Sequence, residues 1–360
     1  MSYKIYYKNL IKMGDRMKKT AMKHRSFLKI LLFFILVFSS SMFVKLTLVR
    51  RAFADPDGSG NNFFYKGSFA FGTPPANKFI TYQMMTYEAF GSVFTNTGSV
   101  KNLPASVTRY VYLPEFIWTN SLLNSNATNL FEVIVPFGQA TQHLSNPSSQ
   151  YENSSTGLGD ILVYEGVSSK TYSYDNLSAN IFPQVSFTVP AGSWNNDSTI
   201  NLGGDEWQIM PTLTGQIGYN LPANMALKLD YAIGYSYNEG HSAINMAEVH
   251  PVNGASTTNP GNNFFTDIFL NYYITPALDI YNETSYVNQG ANNGYKNIGT
   301  TDTPNLQYMQ INNGYKDVAS GFGIDYHIKN IMLDARVLRD LHGDNGPDGF
   351  YSQVGLIMVF

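Results

Sequence analysis

Eight charged side chains stand inside segments that otherwise read as β-strand: Lys228, Asp230, Asp267, Asp279, Glu283, Asp325, Asp334 and Arg336. Charges so placed can steer a polar solute or pair with one another across an enclosed interior. The segment Ala223–Tyr237 shows which face they take. Met225, Leu227, Leu229, Tyr231, Ile233, Tyr235 and Tyr237 share one face, while Ala226, Lys228, Asp230, Ala232, Gly234 and Ser236 share the other. Successive strand side chains point to opposite sides, so one face is continuously apolar and the other small, polar or charged. A Lys or Arg turned to lipid at mid-bilayer costs roughly 2–4 kcal/mol. If the apolar face meets lipid, all eight residues line the inside, as a structural polar network or as a path for solute.

The histidines offer a second chemistry. Five follow the N-terminal leader: His143, His241, His250, His327 and His342. His327 lies in a strand two residues from Asp325, and a carboxylate can orient a histidine base. This is the basis of an alternative reading, an outer-membrane enzyme acting on lipid or ester. No Gly-x-Ser-x-Gly nucleophile elbow accompanies it, and the expectation is that the chain is not an enzyme. His241 and His250 share a long loop with Glu239 and Glu248, at spacings that match no fixed zinc geometry. Asn345-Gly346-Pro347-Asp348-Gly349, near Asp340 and Asp344, offers the oxygen ligands that Ca²⁺ or a divalent bridge to lipopolysaccharide would use. Its residues are equally those of a turn. There is no cysteine, hence no disulfide and no thiolate-held metal. Neither a Walker loop nor a dinucleotide fingerprint is present. No metal and no cofactor are expected.

The elements that must position these groups form a regular series. Twelve candidate strands run over Lys78–Phe90, Val107–Trp118, Asn129–Gly138, Thr156–Val167, Ser178–Pro190, Asp205–Tyr219, Ala223–Tyr237, Asn262–Thr275, Ala277–Asn288, Val318–Ile328, Asn330–Leu341 and Asp348–Phe360. They are long for soluble strands and suit a tilted bilayer crossing, which needs about 9–11 residues. Their connections alternate. Gly91–Ser106, Gln139–Ser155, Ala191–Gly204, Asn238–Gly261 and Gln289–Asp317 are long, and His342–Pro347 is shorter; those between them, such as Asn220–Pro222 and Lys329, are mostly brief. Long loops on one side and tight turns on the other are the habit of outer-membrane barrels. Pro114, Pro136, Pro183, Pro190 and Pro211 sit awkwardly in this map, because each removes a ladder donor; bulges or strand ends would accommodate them.

Composition agrees. Charged residues make up 14% of the 360, well below the ~25% of soluble domains, with 25 Tyr and 24 Phe. Residues 1–54 hold 12 of the 23 Lys+Arg and a single acid, Asp15, leaving 11 basic and 25 acidic residues beyond, a net of −14. A chain this acidic is not expected to bind nucleic acid. The basic run from Lys4 to Arg25, the apolar stretch Ile30–Phe38 and the Ala52-Phe53-Ala54 site read as a signal peptide over 1–54. Residues 55–77 are then an N-terminal segment, either a plug or a lead-in, and 78–360 the barrel. No later apolar run has the length of a membrane helix, so a membrane-spanning form must be a closed sheet. The last strand ends Gly355-Leu356-Ile357-Met358-Val359-Phe360, like the signal read by the barrel-assembly machinery.

Four motifs add a resemblance. Val135-Pro136-Phe137-Gly138, Ser155-Thr156-Gly157-Leu158-Gly159-Asp160, Phe187-Thr188-Val189-Pro190-Ala191-Gly192 and Asn201-Leu202-Gly203 with Trp207 occur in order. In this the chain resembles the MetA-pathway of phenol degradation family, with Ala191 in place of a usual Thr and Phe137 of a usual Tyr. The resemblance spans roughly Asn129–Phe360 and implies an outer-membrane barrel that takes up apolar compounds. Gly157, Gly159 and Asp160 are its marked residues. As residues they read as strand-end and bulge signals, with ligand contact at Asp160 as the alternative.

The expectation is therefore an all-β transmembrane antiparallel up-and-down β-barrel of about 12 strands in a Gram-negative outer membrane. Its expected partners are membrane lipid and lipopolysaccharide, the assembly machinery through Phe360, and a small apolar or aromatic solute. A non-conducting structural or adhesin barrel is the remaining alternative.

Overall fold

The computed structural model describes residues 74–95, 97–122, 127–144, 153–192, 207–239, 255–259, 261–291, 293–297, 306–310 and 314–360. The leader, most of the 55–77 segment, His241, His250 and Asn201-Leu202-Gly203 lie outside these residues. The strands are β1 (Lys78–Phe94), β2 (Val100–Ser121), β3 (Thr128–Ile134), β4 (Phe137–Leu144), β5 (Asn153–Leu158), β6 (Ile161–Ser168), β7 (Tyr172–Tyr174), β8 (Leu177–Val189), β9 (Trp207–Asn220), β10 (Ala226–Glu239), β11 (Ala255–Asn259), β12 (Asn263–Thr275), β13 (Leu278–Gln289), β14 (Asn293–Asn297), β15 (Leu306–Gln310), β16 (Tyr315–Ile328), β17 (Ile331–Asp344) and β18 (Pro347–Val359).

The sheet closes on itself. β1 pairs antiparallel with β18 on one side and with β2 on the other, so Ile80 faces Val359 and also Ile117. β3 and β4 lie end to end along β2, and β5 and β6 follow them in the same way. Twelve staves result, each beside its sequence neighbour. Closure leaves no permanent edge, so backbone groups in the wall are paired within it.

Burial follows the pleat. Along β10, Asp230, Ala232, Gly234 and Ser236 are buried and point inward, whereas Leu227, Tyr235 and Tyr237 are exposed on the outer face. Ile280, Ile324, Leu333, Val337 and Val354 continue that apolar exterior. Aromatic residues stand toward its two ends, with Trp207 and Tyr237 at one and Trp118, Tyr219 and Tyr326 at the other, where amphipathic rings favour the membrane interfaces.

The prolines mark where the ladder lapses. β3 stops at Ile134 and β4 resumes at Phe137, with Pro136 between them and Pro114 opposite on β2. Val135 N–H still reaches the Pro114 carbonyl at 3.1 Å, and Gly159 N–H reaches that of Pro136 at 2.8 Å. Pro190 directly follows β8, and Pro183 and Pro211 stay within β8 and β9, facing Leu213 and Val185 respectively.

The loop map needs one substantial correction. Gly91–Ser106 is not a long loop: β1 runs on to Phe94 and β2 begins at Val100. The register steps from Phe90↔Val107 to Ser92↔Asn102, so a bulge inserts extra β2 residues and hides the strand's period of two. Gln139–Ser155 likewise shrinks to residues 145–152, with β4 and β5 taking up its ends, and Ser168–Leu177 contains the short strand β7. The opposite end keeps its tight turns at 276–277 and 329–330 and the 3-10 turn Pro222–Asn224. β11, β14 and β15, from the two longest connections, pair as a separate three-stranded sheet.

Candidate functional site: the barrel interior

All eight charged strand residues take inward pleat positions. Asp230, Asp267, Asp279, Glu283, Asp325, Asp334 and Arg336 are buried, and Lys228 is half-buried. The structure brings most of them together on the β10–β17 side. Arg336 Nη1 donates to Glu283 Oε2 at 2.6 Å and its Nη2 to Gln353 Oε1 at 3.1 Å, while its guanidinium lies 5.5 Å from the Tyr351 ring centre. Asp334 accepts from Tyr281 Oη at 2.8 Å and from Tyr82 Oη and Gln353 Nε2 at 2.9 Å each. Asp230 accepts from Gln216 at 2.7 Å and Asn271 at 2.9 Å. Lys228 Nζ stands 4.3 Å from the Tyr273 ring centre, a cation–π distance.

Three aspartates stand directly opposite one another across β13, β16 and β17: Asp279↔Asp325 and Asp325↔Asp334. Like charges in register destabilise a sheet, so the donors around them matter. His327 Nε2 is 3.6 Å from Asp279 Oδ1. The sequence reading set His327 beside Asp325; the carboxylate it meets is that of Asp279 on the neighbouring strand, its diagonal neighbour, within reach of a long side chain. Among the described residues, no group of three or more His, Asp or Glu is arranged to hold a metal.

Two buried apolar clusters share the interior with this network. Ile80, Tyr82, Met84, Leu113, Ile117, Leu130, Ile134, Phe182 and Ile357 pack as one buried cluster. Met210, Ala232, Phe265, Phe269, Tyr281 and Val287 form a second. Tyr164 of β6 packs against both. Sequence reasoning passed over four charges that its own rule would have found, Glu88, Arg109, Glu115 and Glu132, each at an inward position of a predicted strand. Arg109 pairs with Glu88 at 3.4 Å. Glu115 and Glu132, both buried within the first apolar cluster's staves, are diagonal neighbours across β2 and β3. Tyr82, Tyr281 and Gln353 carry no charge and had no such signal.

The motif residues converge away from this interior network. Gly138 faces Gly157 across β4 and β5. A Cβ on Gly138 would come within 2.4 Å of the Tyr110 carbonyl oxygen, and Gly157 has φ 153°, so both places favour glycine. Asp160 Oδ1 accepts the backbone N–H of Gly192 at 2.9 Å. Three motifs thus meet at one seam of the wall. A family model described as MetA-pathway of phenol degradation matches residues 91–354.

The chain belongs to this family.

No curated protein matches the sequence. Among solved structures, the COG4313 outer membrane channel from Pseudomonas putida F1 is similar over 83% of this chain and 100% of its own, at 16% identity and a TM-score of 0.64. The transport unit of the autotransporter AIDA-I from Escherichia coli is similar over 86% of this chain and 100% of its own, at 10% identity and a TM-score of 0.43. The first likeness shows the fold that this family member takes. With a closed wall and an apolar exterior, it is a Gram-negative outer-membrane β-barrel.

Proposed function

We propose that this barrel is a channel for small apolar molecules, aromatic ones above all. The observation that carries the reading is the pair of buried apolar clusters on the inner face, both packed against Tyr164. A channel for sugars or ions gains nothing from Phe182, Phe265 and Phe269 on its inner face, whereas an aromatic solute can exchange contacts with them. The charged and polar residues interleaved with them, Lys228, Asp230, Asp267, Asp279, Glu283, Asp325, Asp334 and Arg336, form the rest of the solute path. The name of the similar P. putida protein, an outer membrane channel, and the family's link to phenol degradation support the same reading.

No catalytic step is needed in this account. His327 is half-exposed and 3.6 Å from Asp279, which suits a partner for a buried carboxylate as well as a base. The terminal Phe360 packs on Phe79 with ring centres 6.1 Å apart, and its N–H reaches the Phe79 carbonyl at 2.9 Å. We read this last strand as the segment that the assembly machinery engages. The deciding experiment is uptake of a radiolabelled monoaromatic compound, at low external concentration, by cells with and without the chain. A faster initial rate with the chain is expected; equal rates would end the proposal.

A further inference from the structure

We propose that the outer wall beside the β1–β2 bulge seats a phosphorylated, multiply acylated lipid of the outer leaflet, with its phosphate on Arg339. The bulge leaves a cleft of about 350 Å³. Ala89, Gly91, Ser92, Thr108, Gly349 and Phe350 line it, and Arg339 stands at its rim. Its hollow comes from small side chains where the register steps between Phe90 and Ser92.

Arg339 is the anomaly that the cleft explains. It lies on the outward face of β17, in line with Val337 and Leu341, which are 46% and 60% exposed. An arginine in that apolar file is 70% exposed. An outward charge is disfavoured more the deeper it lies, and it is relieved by an anion at the interface. Among the described residues it pairs with Asp348, at 3.8 Å, and the other Asp348 oxygen accepts Ser92 Oγ at 2.7 Å. That long contact leaves guanidinium N–H groups for a second acceptor, and the planar fork matches a phosphate in bidentate fashion. Acyl chains would lie against Phe350 and over Ala89. A free phosphate ion would gain only the head; the exposed apolar file beside it favours a ligand with tails.

The test uses the full barrel purified in detergent, with native mass spectrometry of added lipid A, dephosphorylated lipid A, phosphatidylglycerol and inorganic phosphate. Lipid A should bind, and Arg339→Glu should weaken it about ten-fold, the worth of one charge-assisted hydrogen-bonding pair. Arg339→Lys should retain part of the binding, and Ala89→Trp, which fills the cleft while keeping the charge, should also lower it. Heat-modifiable gel migration checks that each variant has folded. Equal binding of dephosphorylated lipid A, equal binding by folded Arg339→Glu, or binding of inorganic phosphate or phosphatidylglycerol as tight as that of lipid A would overturn the proposal. The outcome is independent of whether the barrel transports aromatics.

Discussion

The Asp160 carboxylate holds the backbone N–H of Gly192, 32 residues away, at 2.9 Å. This bond ties the strand that leaves one motif to the strand end of the next, and it lies beside the Gly138↔Gly157 step. A charged acceptor on a backbone donor is worth about 1.5–3 kcal/mol. Asp160→Ala should therefore lower the barrel's unfolding free energy by roughly that amount, read from urea titration of refolded protein. Asp160→Asn should recover part of it. Aromatic uptake per folded molecule should stay at the wild-type level in both, since the bond lies outside the interior network.

Arg336 and Glu283 form a fully buried pair. Their mutual attraction offsets a desolvation penalty that neither could meet alone. Arg336→Met strands the Glu283 carboxylate and should cost about 3–5 kcal/mol. The double variant Arg336→Met with Glu283→Gln should regain most of the loss. An equal loss in the double variant would mean that packing around Arg336, and not charge compensation, sets its importance.

Much of the wall could be read from the chain. The alternation of Ala223–Tyr237 set Lys228 and Asp230 on one face with Ala232, Gly234 and Ser236, because a period of two leaves a side chain only two choices. What could not be read was the partnership. That Tyr82 and Tyr281 both donate to Asp334 depends on register across β1, β18, β17, β16 and β13, which no local pattern encodes. The ends of β1 and β2 were hidden for a different reason. Gly98 to Ser106 carries Gly, Asn and Pro, the vocabulary of a turn, and a bulge uses the same residues to bend a strand.

Gly321 tests how tightly the wall is specified. A Cβ there would lie 1.8 Å from the Val337 carbonyl oxygen and 2.7 Å from the Leu338 Cα. Both are backbone atoms of the paired strand, so no side-chain rotation relieves the clash. Gly321→Val should leave little protein in the folded, heat-modifiable form. Gly91→Ala is the control: its Cβ would meet Ser106 Cβ at 3.4 Å, an ordinary contact, and it should fold normally.

Tyr164 is the residue by which the transport reading can be pressed hardest. It packs against both apolar clusters, and so its ring spans the interior between the β1–β2 side and the β9–β13 side. Tyr164→Ala removes that bridge without touching a charge. A large aromatic to alanine change in a packed core costs about 3–5 kcal/mol, but closure of the wall by twelve paired staves should keep the barrel intact. Single-channel conductance in planar bilayers should then rise above wild type, and a polar sugar of a size excluded by the wild type should enter liposomes carrying the variant. Tyr164→Phe keeps the ring and should conduct as the wild type does. Unchanged conductance in folded Tyr164→Ala would place the constriction elsewhere, and the two apolar clusters would then be read as wall packing alone.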